Sequence, residues 1–394
     1  MGSDGARREP LFTPAFIALG LADLGYFTAL GVAIYVLPLY VTGPVGSDRA
    51  GAGLAFGAFA VAALVGRPVA GRLADSRGRR PLLLGGAALL GLGMVAMPVT
   101  GSLWAVVVVR LVQGLAEAAF FVAGLAMLID IAPASRVGEA TSYSSLGLYL
   151  GLAFGPPAGE WLVGTAGFPA AWYGAGALCV VAALFALLLP ESRREDAGGP
   201  AGERARLLHR PALPFAAGFG CSLVAAGGFL AFASLHARDI AMTPTSLALF
   251  VYGGVVVASR VAFARVPDRL PTVPLAAASL VVIGVGLVVM ASWATAAGLL
   301  VGVVLTAVGV SFSTPAFFTA IFATAGPGQR GAAAGTAGVV LDLGLGVGPI
   351  LLGLVAREQG ITGAFAVGGG VALAGAAGTA LLALRAGRVA RPAD

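Results

Sequence analysis

RPVAGRLAD at 67–75 and RVAFARVPD at 260–268 carry Arg, Arg and Asp at the same spacing, 193 residues apart. Two related charged knots, each flanked by long apolar stretches, predict a chain built as two repeats. The echo continues downstream. PASRVGEA at 133–140 returns as PGQRGAAA at 327–334, and Gly155-Pro156 returns as Gly348-Pro349 at the same 193-residue offset. Composition names the solvent for these repeats. Of the 394 residues 58% are apolar and only 11% charged, with a mean hydropathy of +0.94, whereas a soluble domain carries about 25% charge. That little polar surface would not cover a water-soluble particle.

Cutting the chain at polar clusters and Pro/Gly breaks gives twelve apolar stretches, from 12–41 to 363–384, most near the roughly 20 residues that a helix needs to cross hydrocarbon. The expected fold is therefore an all-α membrane protein of two six-helix bundles, 1–189 and 215–394, joined by the polar segment 190–214. The first stretch is too long for a cleaved signal peptide and contains Asp23. An even number of crossings puts both ends on one side, and most arginines fall there, including Arg72, Arg77, Arg79, Arg80 and Arg330; only Arg49, Arg238 and Arg357 fall opposite. Positive residues mark the cytoplasmic side, so both ends are expected in the cytoplasm. The net charge of +6 is thus an orientation signal, and nucleic acid is not expected as a partner.

Several chemistries are left without support. Every basic residue is arginine, so there is no P-loop lysine. Cys179 and Cys221 lack CxxC spacing, and His209 and His236 lack paired-ligand spacing. Neither a metal site nor an enzyme's catalytic constellation is expected.

Three motifs follow in order: Gly71-x-Leu73-Ala74-Asp75-x-x-Gly78-Arg79-Arg80, then Arg110-x-x-Gln113-Gly114, then Gly151-x-x-x-Gly155-Pro156-x-x-Gly159. Together they resemble the signatures of the major facilitator superfamily in its loop between helices two and three, its fourth helix and its fifth helix. Two departures stand out: Ser76 occupies a place often basic, and Glu160 occupies the place of the fifth-helix motif's final glycine. The resemblance implies a monomeric carrier in a bacterial cytoplasmic membrane, working by alternating access. It would export a small amphipathic or apolar compound in exchange for protons, with the proton gradient as energy source and no cofactor. A proton-coupled uptake symporter for a sugar or metabolite is the alternative, and a non-transporting membrane receptor a third.

The residues themselves suggest roles. Asp75, with Gly71, Gly78 and Arg79, is expected to latch the two halves at their cytoplasmic side in one state and release them in the other, because a carboxylate is favoured at a helix N-terminus and beside arginines; a tight, positively charged inner loop that only enforces topology is the alternative. Arg67, Arg260 and Asp268 complete that device in the two repeats. Asp23, Arg110, Glu117 and Asp342 lie within spans, where a charge is expensive unless paired or hydrated. Arg110 and Glu117 are seven residues apart on nearly one helix face, and in the resembling fold helices 1, 4, 7 and 10 line the cavity, so Asp23 and Arg110 are expected to meet across it. Dehydration favours a neutral carboxyl and a nearby arginine an ionised one, which makes these acids candidate proton carriers; a static pair that fixes packing is the alternative. Asp342 is either a cavity residue or a hydrogen-bonding partner at the interface between bundles. Glu160 is expected as a solvated residue at the outer mouth. The glycines at four-residue spacing, Gly147, Gly151, Gly155, Gly344 and Gly348, with Gly159, Pro156 and Pro349, allow close helix approach and suggest surfaces that rock against the opposite bundle; ordinary tight packing is the alternative, and spacing alone does not separate the two. Phe16, Phe27, Phe120, Phe121, Phe229, Phe232, Phe317 and Phe318 are candidates for an apolar substrate wall.

Overall fold

The computed structural model describes residues 10–133, 136–191, 209–263, 269–326 and 329–389, and among them there are helices and no strands. The helices are α1 (Pro14–Thr42), α2 (Arg49–Arg77), α3 (Arg79–Ala96), α4 (Leu103–Ile131), α5 (Val137–Leu187), α6 (Leu213–Asp239), α7 (Leu247–Ala262), α8 (Thr272–Ser292), α9 (Ala296–Ala323) and α10 (Arg330–Val389). Their starts follow local chemistry. Thr13, Asp48, Ser102 and Thr295 each accept a backbone N–H from the first turn of α1, α2, α4 and α9, satisfying a donor that the helix itself leaves unpaired.

Two elements are longer than any bilayer needs, and each is broken by a glycine. Gly167 in α5 and Gly360 in α10 both have φ of 78°, a conformation open to glycine and unfavourable for other residues. The chain folds back at both. A methyl placed at Gly174 would lie 2.7 Å from Leu162, although twelve residues of straight helix span about 18 Å. Likewise Gly368 faces Leu352 at 3.4 Å, where a straight helix would separate them by about 24 Å. The described residues therefore form twelve helical arms, with breaks near the expected gaps. The shortest is α7, with 16 residues.

Packing repeats with the sequence. In the first half α1 lies along α5, and α2 along α4; in the second α6 lies along α10, and α7 along α9. The halves meet where α2 crosses α10 and where α5 crosses α7. Large aromatic side chains fill each half: Tyr26, Phe120 and Trp172 in one, Phe219, Phe229, Phe232, Phe317 and Phe365 in the other, all fully buried. Leu92, Val99, Trp104, Val108 and Leu188 instead stand exposed on outer faces. So many exposed large apolar groups suit a lipid environment and not water.

The glycine ladders follow the tight-packing alternative. Gly151 and Gly155 lie against Phe27, Thr28 and Gly31 of α1, Gly159 against Val32, Tyr35 and Val36, and Gly344 and Gly348 against Leu223 and Val224 of α6. They tighten each half internally. The contacts between halves use other small residues: a side chain at Gly53 would strike the Pro349 carbonyl, one at Gly57 the Gly346 carbonyl and Ile350, and one at Gly253 would come within 2.6 Å of Ala153. Helical geometry explains the division, since 344 and 348 lie on one face of α10 whereas 346 faces about 200° away.

Gly57→Leu is expected to destabilise the protein by about 1–3 kcal/mol through overpacking at this interface, measured as a lower midpoint of heat-induced aggregation in detergent. Gly20→Ala, at a position with open space around its Cβ, is expected to leave that midpoint unchanged or raise it slightly.

Candidate functional site

The close approach of α2 and α4 sets up the first part of the site. Gly114 of α4 packs on the Phe59 carbonyl and Ala62, and Gly66 of α2 packs on Ala118 and Leu115. That register brings Arg67 beside Glu117. On its other side α2 runs antiparallel to the first arm of α10, with Gly53 opposite Pro349 and Gly353, and Gly57 opposite Gly346. The same register, continued, brings Arg67 to Asp342.

The guanidinium of Arg67 is therefore shared. Its Nη2 donates to Asp342 Oδ1 at 3.0 Å, a charge-assisted hydrogen bond, and its Nε lies 2.6 Å from Asp342 Oδ2 as an ion-pair contact without hydrogen-bond geometry. Nη2 also lies 3.6 Å from Glu117 Oε1, and the group sits over the Phe121 ring at 4.7 Å. Glu117 comes from the same half as Arg67, and Asp342 from the other. With both acids ionised the trio carries one net negative charge. The side chain of Asp342 is only 3% exposed, so its charge depends on this partner.

The symmetry-related position is informative. Arg67 corresponds to Arg260 and Asp342 to Tyr149 at the 193-residue offset, and these two also touch: the Arg260 guanidinium lies 4.4 Å from the Tyr149 ring centre. Each half thus reaches an arginine into the other at equivalent places. One contact is an ion pair, the other a cation–π contact.

Phe121 and Tyr149 also border a cavity of about 170 Å³ lined by Asp23, Phe27, Phe120, Phe121, Ser144 and Tyr149, among others. Ser144 donates to Asp23 Oδ2 at 2.9 Å. Of the eight phenylalanines singled out, Phe27, Phe120 and Phe121 form its wall; Phe120 stacks on Tyr26 at 3.8 Å. Phe229, Phe232 and Phe317 belong to the buried core of the second half, with Phe318 packed against it, and Phe16 pairs with Phe12.

The expected meeting of Asp23 and Arg110 does not occur. Arg110, 4% exposed, donates to the Ala55 carbonyl at 3.2 Å and to Gln113 Oε1 at 2.8 Å, and lies over Phe59 at 4.4 Å. Depth separates them: Arg110 is seven residues from the start of α4, whereas Asp23 is level with the early part of α5. Arg110 and Glu117 do not pair either, because each turns to a nearer partner on α2. Gln113 contacts Met94 at 3.5 Å.

The charged knot at 71–80 is also arranged differently. Asp75 has a side chain 64% exposed and lies 3.5 Å from Arg79; Gly71 faces open space. The buried member is Arg79, which reaches Asp130 at the end of α4 at 3.2 Å and the Ala74 carbonyl at 3.0 Å. Its backbone N–H, first in α3, donates to Glu191 at 3.1 Å. Gly78, with φ of 96°, lets that carboxylate approach the turn. These contacts stay within the first half and the joining residue Glu191, and none reaches the other half. Asp268 lies outside the described residues. Glu160 departs most from its expectation: its carboxylate is held by Thr245 and Ser246 of the other half. The described residues contain no group of three or more acidic, His or Cys ligands that could hold a metal.

Comparison with known proteins follows this geometry. The model of the Major Facilitator Superfamily matches residues 16–344. An uncharacterized MFS-type transporter of Salmonella typhimurium is 29% identical over 375 residues, covering 91% of this chain and 94% of the relative. One of Pseudomonas aeruginosa is 30% identical over 364 residues, covering 89% and 90%. Among solved structures, the nucleoside transporter NupG superposes with a TM-score of 0.76 at 14% identity, covering 93% of this chain and 98% of that one. The human organic anion transporter MFSD10 gives 0.69 at 17% identity, covering 93% and 99%. At these identities the two structures speak for the fold alone.

Removing Arg79 leaves Asp130 with a lost buried partner, and Arg79→Met is expected to destabilise the first half by about 3 kcal/mol. Asp75→Asn, at an exposed contact, is expected to change stability by less than about 0.5 kcal/mol. Thermal midpoints of the purified variants check both.

Proposed function

The chain belongs to the major facilitator superfamily, and on that premise we propose that it exports a small, amphipathic or apolar compound in exchange for protons. As a member it is a multi-pass membrane transporter of small molecules. In this reading the twelve arms are twelve crossings, with both flanks in the cytoplasm, in the inner membrane of a bacterium, and the chain acts as a monomer.

One observation supports the coupling: a single arginine shared by an acid of its own half and an acid of the other. Proton binding at Asp342 removes the anion that holds Arg67 across the interface. Arg67 then keeps Glu117, and the α2–α10 contact loses its charged tie. Loss of the proton restores it. At the equivalent place Arg260 lies on the Tyr149 ring and not on an acid, so the two arginine joints answer differently to protons. Asp23 stands in the aromatic-walled cavity with Ser144, where proton and substrate compete for one carboxylate.

The direction of transport rests on the fifth-helix motif Gly151, Gly155, Pro156 and Gly159. The uptake alternative is separated from it by the sign of flux. With everted membrane vesicles and a panel of lipophilic fluorescent compounds, imposing an acid interior is expected to drive accumulation of the substrate, and an uncoupler to abolish it. A symporter would release the compound instead.

Asp342→Asn is expected to lower proton-driven flux at least tenfold in proteoliposomes while retaining solute-for-solute exchange. Glu117→Gln is expected to shift the pH dependence of flux. Full proton-driven transport by Asp342→Asn, or an unaltered pH profile for Glu117→Gln, removes that acid from the coupling.

A further inference from the structure

The tightest polar contact between the halves lies away from the acid–arginine trio, at the end of the molecule where α1, α6 and the first arm of α5 finish and α2 and α7 begin. Glu160 projects there from α5. Its Oε1 accepts the Thr245 backbone N–H at 2.7 Å and the Thr245 hydroxyl at 2.8 Å; its Oε2 accepts the Ser246 N–H at 3.0 Å and the Ser246 hydroxyl at 2.5 Å. One side chain of the first half thus receives four hydrogen bonds from two consecutive residues of the second.

Those two residues directly precede α7. The first turn of a helix presents N–H groups that have no intrahelical acceptor and a partial positive charge. Ser246 is placed to cap α7 but makes no side-chain capping bond, because its hydroxyl points to Glu160. The start of α7 is therefore completed from the other half. Tyr35 of α1 extends the contact, its hydroxyl 2.6 Å from Thr245 Oγ1. Nearby, Arg49 and Asp239 pair at 2.7 Å across the halves, but with side chains 39% and 34% exposed, and such surface pairs contribute little.

We propose that Glu160 is a lock on the outer mouth: its grip on Thr245 and Ser246 holds the two halves closed at that end, and releasing it is a required step before the mouth opens. Hydrogen bonds to a carboxylate are stronger than neutral ones, and all four share one side chain, so they break together. A glycine at this position would leave the start of α7 to water. The lock is separate from the trio at Arg67. Only the assignment of this end to the outer face rests on the proposed topology.

Ser234 reports on the lock. It is fully buried, donates to the Tyr35 carbonyl at 3.3 Å, and lies on the interface of α1 and α6 just beneath the contact. With Cys179 and Cys221 replaced by Ser, a Ser234→Cys reporter is treated with a membrane-impermeant thiol reagent on each face of the membrane separately. Glu160→Ala is expected to raise the labelling rate from the outer face at least tenfold, and Glu160→Gln, which keeps one acceptor oxygen, to fall between. Rates within twofold of the parent on both faces overturn the lock. A tenfold rise on the cytoplasmic face upholds the lock and overturns the topology instead. Should Glu160→Ala fail to accumulate, Glu160→Leu, which removes all four acceptor contacts while keeping side-chain bulk, takes its place, and labelling within twofold of the parent on both faces overturns the proposal equally.

Discussion

A charge enclosed by lipid-facing helices needs a partner, and Arg67 has two. Its ion pair and hydrogen bond with Asp342 join the halves of the molecule, while its approach to Glu117 keeps it anchored in its own half. Burial makes the arrangement sensitive to charge: with little water to screen it, the tie between α2 and α10 depends on the ionisation of one carboxyl group. The rest of the interface is suited to such dependence. Where α2 meets α10, Gly53 and Gly57 face carbonyl oxygens and Gly353 faces Gly53, with Ile350 and Val61 packed on the neighbouring glycines, so the two backbones approach closely.

Repetition of the chain makes the asymmetry visible. Gly167 and Gly360 break their helices with the same φ at equivalent positions, and the most extensive helix pairings of one half have their counterparts in the other. Against that background the replacement of Asp342 by Tyr149 is a chemical difference at one symmetric site. Arg260 still reaches across, but to an aromatic ring that does not titrate as a carboxylate does. Two equivalent joints thus respond differently to a proton.

The closed end adds a constraint of another kind. Glu160 completes the start of a helix that belongs to the other half, so backbone geometry, and not only side-chain charge, is shared between the halves. The ladder of Gly147, Gly151 and Gly155 holds the same arm of α5 against α1. Glu160 is accordingly mounted on a closely packed helix pair of the first half.

The sequence by itself determined the membrane environment, the two-fold repeat, the positions of the helix breaks and four of the buried charges, Asp23, Arg110, Glu117 and Asp342, but not the burial of Arg79. Those features are local: hydropathy, Gly/Pro breaks and an offset of 193 residues are legible without contacts. It did not decide which acid meets which arginine. Arginine side chains reach several residues along a helix, and pairing depends on the register of antiparallel helices, which small residues such as Gly57, Gly66, Gly114 and Gly346 fix. The offset arithmetic that equates Arg67 with Arg260 and Asp342 with Tyr149 held a clue to the cross-half contacts, but only the folded chain shows that each pair touches. Asp23 and Arg110 stayed apart because they lie at different depths, and Glu160 found its donors in residues 85 and 86 positions away, a distance over which no local pattern carries information.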